Sequence, residues 1–187
     1  GQSAVIKFRW GSKPTDLLYE NATPFIKFAL GENVKQSNWG DAQKIRFPQS
    51  RMGVEQVFYD HFIRAREYGA SFVKYRHDLS KTSRRDLKSG NGPLKPRYDI
   101  ELETLLQILR EERFVTCHSY RQDEINMLMH VADSMKFRLN TFTHILEGYK
   151  VADKMKEHGA GGSTFSDWWA YKYEVKDAIP YNGAILY

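Results

Sequence analysis

Apolar positions along this chain follow two rhythms, a period of two in short runs and a period of three to four in longer ones. Ala4 to Trp10 (AVIKFRW) and Phe25 to Leu30 (FIKFAL) are short and rich in β-branched and aromatic residues. Each is followed by a glycine, Gly11 or Gly31, and both predict strands. Asp16 to Asn21 predicts a short helix or turn, and Gly31 to Gln49 a polar loop. From Gly53 to about Tyr75 the apolar residues Val54, Val57, Phe58, Phe62 and Ala65 recur at helical spacing. A second helix is predicted over Asp99 to Arg110, and a strand over Arg113 to His118 (RFVTCH). Asp123 is placed to cap a helix carrying Ile125, Leu128, Met129, Ala132 and Met135. A strand over Phe137 to His144, a helix over Gly148 to His158 and a short strand over Ala160 to Phe165 follow. Trp168 to Ala178 predicts a last helix, and the apolar run from Asn182 to Tyr187 the start of a further strand.

Strand and helix therefore alternate, with crossovers long enough for parallel pairing. The fold class predicted is α/β, as a partial TIM-like (β/α) barrel or a doubly wound sheet. A complete eight-stranded barrel takes about 250 residues. The 187 residues predict a single, incomplete barrel domain over 1–187, an interior piece that starts without Met and stops inside an apolar run.

Composition narrows the class. Hydrophobic residues make up 41% of the chain, enough for a packed core, and no apolar run is long enough to span a membrane. One cysteine, Cys117, excludes an internal disulfide framework and a multi-cysteine zinc site. The net charge of +5 is local: residues 64–97 hold ten basic against three acidic side chains, leaving −2 for the remainder. Lys81 to Pro96 has the composition of an exposed, mobile insertion, spanning about 76–98. Two rival functions follow: a nucleic-acid-binding module built on the 64–97 stripe, with salt-dependent phosphate contacts, or a barrel scaffold without catalysis. The stripe offers only Phe72 and Tyr75 for base stacking, which argues against nucleic acid as a partner.

Two histidines stand at corresponding places, His118 ending RFVTCH and His144 ending LNTFTH. In parallel α/β folds the carboxyl ends of strands carry function. Neutral imidazole is a common metal ligand and a general base near neutral pH. The pair either caps its strands by hydrogen bonding or converges on one ion. Lys27, between Ile26 and Phe28, either reaches solvent or lies in a barrel interior. In an interior a desolvated amine can react with carbon dioxide to give an anionic carbamate ligand. Tyr120 and Arg121 directly follow His118 and are the leading substrate-binding candidates, since a guanidinium can grip a carboxylate at two points. Asp167 is a base or a helix cap. By strand alternation Cys117 points away from His118.

The segments FIKFALGENV, FVTCHSYRQDEI, FTHILEGYKVADKM and STFSDWWAYK resemble the amidohydrolase superfamily, and within it the imidazolonepropionase-related group. That resemblance implies a distorted (β/α)8 barrel that holds one or two divalent ions, usually zinc, to activate water. His118 is similar to the family's fifth-strand histidine ligand and His144 to its sixth-strand one. Lys27 is similar to the fourth-strand lysine that is carboxylated in two-metal members. Members hydrolyse amide or related C–N bonds, in cyclic compounds or peptides. The family's first-strand His-x-His pair and eighth-strand Asp have no counterpart here, and Ile-Leu-Glu-Gly follows His144 where a glycine is common. The expectation is a small-molecule or short-peptide amide substrate for the parent. This piece alone is expected to be inactive, and to self-associate or pair with the missing strands.

Overall fold

The computed structural model describes residues 2–35, 46–166, 170 and 172–187. Five strands form one sheet in chain order: β1 (Gln2–Ser3), β2 (Phe25–Ala29), β3 (Phe114–His118), β4 (Thr141–Thr143) and β5 (Gly161–Gly162). β1 is antiparallel to β2, and β2 through β5 are parallel. The helices are α1 (Glu32–Lys35), α2 (Arg51–Lys81), α3 (Arg84–Lys88), α4 (Ile100–Leu109), α5 (Gln122–Met135), α6 (Ala152–His158) and α7 (Asn182–Leu186). The result is an α/β fold of parallel strands alternating with helices, part of a barrel.

Alternation along the strands gives the sheet two chemically different faces. Val115, Cys117 and Phe142 are fully buried and join Ile26 and Phe28 in the core under the helices. Phe62 of α2 stacks on Phe137 with ring centroids 4.3 Å apart, inside that same core. The other face carries Lys27, Thr116 and Thr141 in one register row and Ala29, His118 and Thr143 in the next. It is open: Lys27 is exposed, and Phe114 is 45% exposed.

Several predicted elements differ from those found. Ala4 to Trp10 is not a strand; it holds one isolated bridge, Ile6 to Leu18, and Trp10 is 94% exposed. Apolar side chains alone do not make a ladder when no core receives them. The predicted strand over 137–144 shrinks to Thr141–Thr143. The Asn140 side chain takes the Val115 N–H at 2.8 Å, replacing a ladder bond, and His144 turns to φ +45° and ends the strand. Residues 148–158 form a single 3-10 turn and then α6, broken at Val151. Asp123 does not cap α5; the first helical N–H, at Gln122, goes to the buried Glu147 carboxylate at 3.0 Å. Where the further strand is expected, Asn182–Leu186 form α7, because buried Asn182 clamps Ile145 O, Thr164 Oγ1 and Tyr149 N–H. Of the expected 168–178 helix, the described residues hold a single turn at Tyr173–Val175; residues 168, 169 and 171 lie outside them.

α2 is longer than its periodicity predicts. Ser50 caps it by accepting the Gly53 N–H at 3.1 Å, and it runs to Lys81. Its buried residues stop at Gly69, so its last turns stand off the core. Ser83 then caps α3, so much of the basic stripe is helical, with Lys74, Arg76, Lys81, Arg84, Arg85 and Lys88 all exposed. Among the described residues no helix is long and apolar enough to cross a membrane.

Candidate active site

β3 and β4 end side by side, and the register that pairs His118 with Thr143 places His144 one step beyond. The left-handed turn at His144 swings its ring across the sheet end, with its N–H held by Ser163 Oγ at 3.1 Å. His118 Nδ1 and His144 Nε2 then lie 2.8 Å apart. The rings meet nearly edge to face, with centroids 4.2 Å apart and planes at 75°. Buried Tyr120 packs against both at 4.9 Å, and Phe165 stacks on His144 at 6.1 Å.

Both rings are held neutral near pH 7. Burial pushes His118 down to about 4, helped by His144 and by the cation of Lys27, against a smaller opposing pull from Glu174. Burial also lowers His144, opposed first by its own backbone, with Lys27 and Lys172 lowering it further. Lys27 therefore acts on both rings from the same sheet face, one register row below His118. Cys117 is on the opposite face, completely buried, its thiol pushed well above the ordinary range by burial.

Arg121 stands at the start of α5 with its Nε on Asp123 at 3.0 Å, and Arg51 takes the other oxygen of the same carboxylate at 3.0 Å. The structure thus brings together His118, His144 and Tyr120, with Lys27 acting on both rings, and turns the Arg121 guanidinium to an ion pair. Asp167 lies outside the described residues.

Three further residues complete the surroundings, of which only Lys35, in the polar stretch after the second strand, stands among the sequence candidates. Glu174 is buried; its Oε2 accepts the Glu32 N–H at 3.1 Å and its Oε1 the Lys172 ammonium at 2.5 Å. Lys172 also sits over the Tyr120 ring, 4.7 Å from its centroid. Lys35, in what reads as a polar loop, is buried. Its Nζ donates to Leu30 O at 2.9 Å and Gly31 O at 3.0 Å, and pairs with buried Glu124 at 3.1 Å. It fixes the turn that leaves β2 for the site. Only position in the fold distinguishes these residues from ordinary surface charges.

The imidazole pair can be tested against a metal ion by its nitrogens. Two ligands of a tetrahedral ion with metal–nitrogen bonds of about 2.0–2.1 Å lie roughly 3.3–3.4 Å apart. The observed 2.8 Å needs a small opening of the pair, and both rings are in the neutral form that ligation requires. Among the described residues the His144 Nδ1 is buried without a hydrogen-bond partner, and its Nε2 faces His118. The pair fits an ion. Among the described residues no group of three or more His, Cys, Asp or Glu side chains is arranged to hold one.

No protein-family model and no curated protein matches this sequence. Among solved structures it is similar to the crystal structure of an amidohydrolase from Thermotoga maritima MSB8, with a TM-score of 0.75 and 24% identity. The match covers the whole of this chain and 44% of that one, so this chain spans less than half the length of its structural neighbour. At this identity the likeness concerns the fold: the chain is amidohydrolase-like in architecture.

Proposed function

We propose that this chain is part of a metal-dependent amidohydrolase, acting on C–N bonds other than ordinary peptide bonds. The observation that carries the reading is the convergence of His118 Nδ1 and His144 Nε2 at a parallel-strand end. The two imidazoles would hold a divalent ion, zinc by the chemistry of neutral nitrogen donors. When bound, such an ion lowers the pKa of its water toward 7 and polarises a scissile carbonyl. Lys27, exposed here on the same sheet face as His118, would serve that ion only once further strands desolvate it: loss of two protons and addition of carbon dioxide would turn its ammonium, a cation that depresses both imidazoles, into an anionic carbamate oxygen ligand. Tyr120 forms the apolar wall on which a small cyclic amide or short-peptide substrate would lie. Arg121 would reach a substrate carboxylate by exchanging its bond to Asp123.

The test is a hydrolysis assay on the protein encoded by the full reading frame, with a panel of cyclic amides and N-acylated amino acids. Turnover that a chelator abolishes and zinc restores is expected. Turnover indifferent to chelator, or preserved in His118→Ala, would contradict the reading. The 187-residue chain alone is expected to be inactive.

A further inference from the structure

Each neutral imidazole carries one N–H, and the side on which it sits decides which nitrogen can bind an ion. His118 Nδ1 and His144 Nε2, 2.8 Å apart, share one proton, so one of them donates and the other accepts, and the surroundings of the second His118 nitrogen decide which. The other nitrogen, Nε2, faces a space that exists because residue 31 is glycine. A β-carbon on Gly31 would lie 3.4 Å from His118 Nε2, and 3.3 Å and 3.6 Å from Oε2 and Oε1 of Glu174. The ring nitrogen and the carboxylate thus border one small gap beside the β2 turn. Glu174 is only 3% exposed, and both its oxygens are anchored, by the Glu32 N–H and by Lys172. A lone pair turned toward that carboxylate would meet negative charge in a poorly solvated place; an N–H turned toward it is stabilised.

We infer that Glu174 is a positioning residue that fixes His118 as the Nε2–H tautomer and so presents the Nδ1 lone pair to the shared site. Lys172 and the Glu32 N–H hold the carboxylate in place, and Gly31 provides the close approach. Carboxylates behind ligating histidines orient the ring and raise its basicity. The consequence for ion binding rests on the metal reading above; the tautomer assignment does not.

Two measurements separate them. Ring-nitrogen NMR on the 187-residue chain labelled at histidine reports the tautomer, and competition with a chromophoric chelator reports zinc affinity. In the unmodified chain His118 is expected to show a protonated Nε2 and a bare Nδ1. In Glu174→Gln, which preserves size and an acceptor for Glu32, the two tautomers should mix and zinc affinity fall by about 10- to 100-fold. Glu174→Asp should restore most of the tautomer preference. An unchanged tautomer in Glu174→Gln would overturn the inference, even with tight zinc binding. A tautomer that shifts in a chain without zinc affinity would support it while removing the metal reading. If Glu174→Gln does not fold, Gly31→Ala fills the gap instead; an unaltered His118 tautomer there would equally overturn it.

Discussion

His118 Nδ1 and His144 Nε2 lie 2.8 Å apart although the residues are 26 positions apart and only His118 belongs to a strand. Strand pairing brings β3 and β4 together, and one left-handed residue, His144 at φ +45°, does the rest. A non-glycine residue in that conformation is uncommon, and such strain collects where geometry matters for function.

The two imidazoles make stability depend on pH in a definite direction. Their folded pKa values are below 6.5, to about 4 for His118. As pH falls, the unfolded chain takes up these protons first, so the folded state loses stability between about pH 6.5 and 4, and the loss levels off once His118 protonates in place. Urea midpoints measured at pH 7, 5.5 and 4.5 should fall more steeply for the native sequence than for His118→Asn. Parallel slopes would show that His118 is not held neutral.

The Lys35–Glu124 pair is buried on both sides, at 6% and 0% side-chain exposure. Removing one partner leaves a charge in the interior, at a cost of about 3–5 kcal/mol. Glu124→Leu should therefore destabilise strongly, and Lys35→Met combined with Glu124→Leu should recover most of the loss. Denaturant unfolding of the three chains checks this. A double variant as weak as the single would show that the backbone bonds of Lys35, and not its charge, dominate.

Cys117 is completely buried and its thiol is held well above its ordinary pKa. Thiolate is the reactive form. A thiol reagent at pH 8 should label it only as fast as the chain unfolds, and addition of urea should speed labelling. Rapid labelling of the native chain would place Cys117 on an accessible face, against the strand alternation described.

The sheet face opposite the helices carries exposed Phe114 and Lys27, and among the described residues β5 pairs with β4 alone. An open face and strand edge favour pairing with more chain. We propose that the isolated chain self-associates through them. Sedimentation should show a concentration-dependent increase in mass that Phe114→Glu reduces. A monomer at all concentrations would exclude it.

Sequence patterning reaches the parts of this molecule that local rules govern. The β2 and β3 strands and α4 stand close to where apolar spacing places them, and His118 and Lys27 share a face as alternation requires. What escapes it is set by long-range partners. Asn140 and Asn182 end or redirect elements through side-chain bonds to residues 25 and 37 positions away. Glu174 meets Glu32 across 142 residues, a relationship that no window of sequence contains. Arg121 reads as a carboxylate grip because it directly follows His118 and Tyr120; in the structure Glu147 takes the first N–H of α5, the capping role expected of Asp123, and Asp123 pairs with the arginine.

Zinc titration of the 187-residue chain, with His118→Ala, His144→Ala and the double variant beside it, tests the central claim most directly. Saturable binding that either single variant weakens by at least tenfold, with little further loss in the double, is the predicted result. Equal zinc uptake by all four chains would contradict a shared ion between residues 118 and 144.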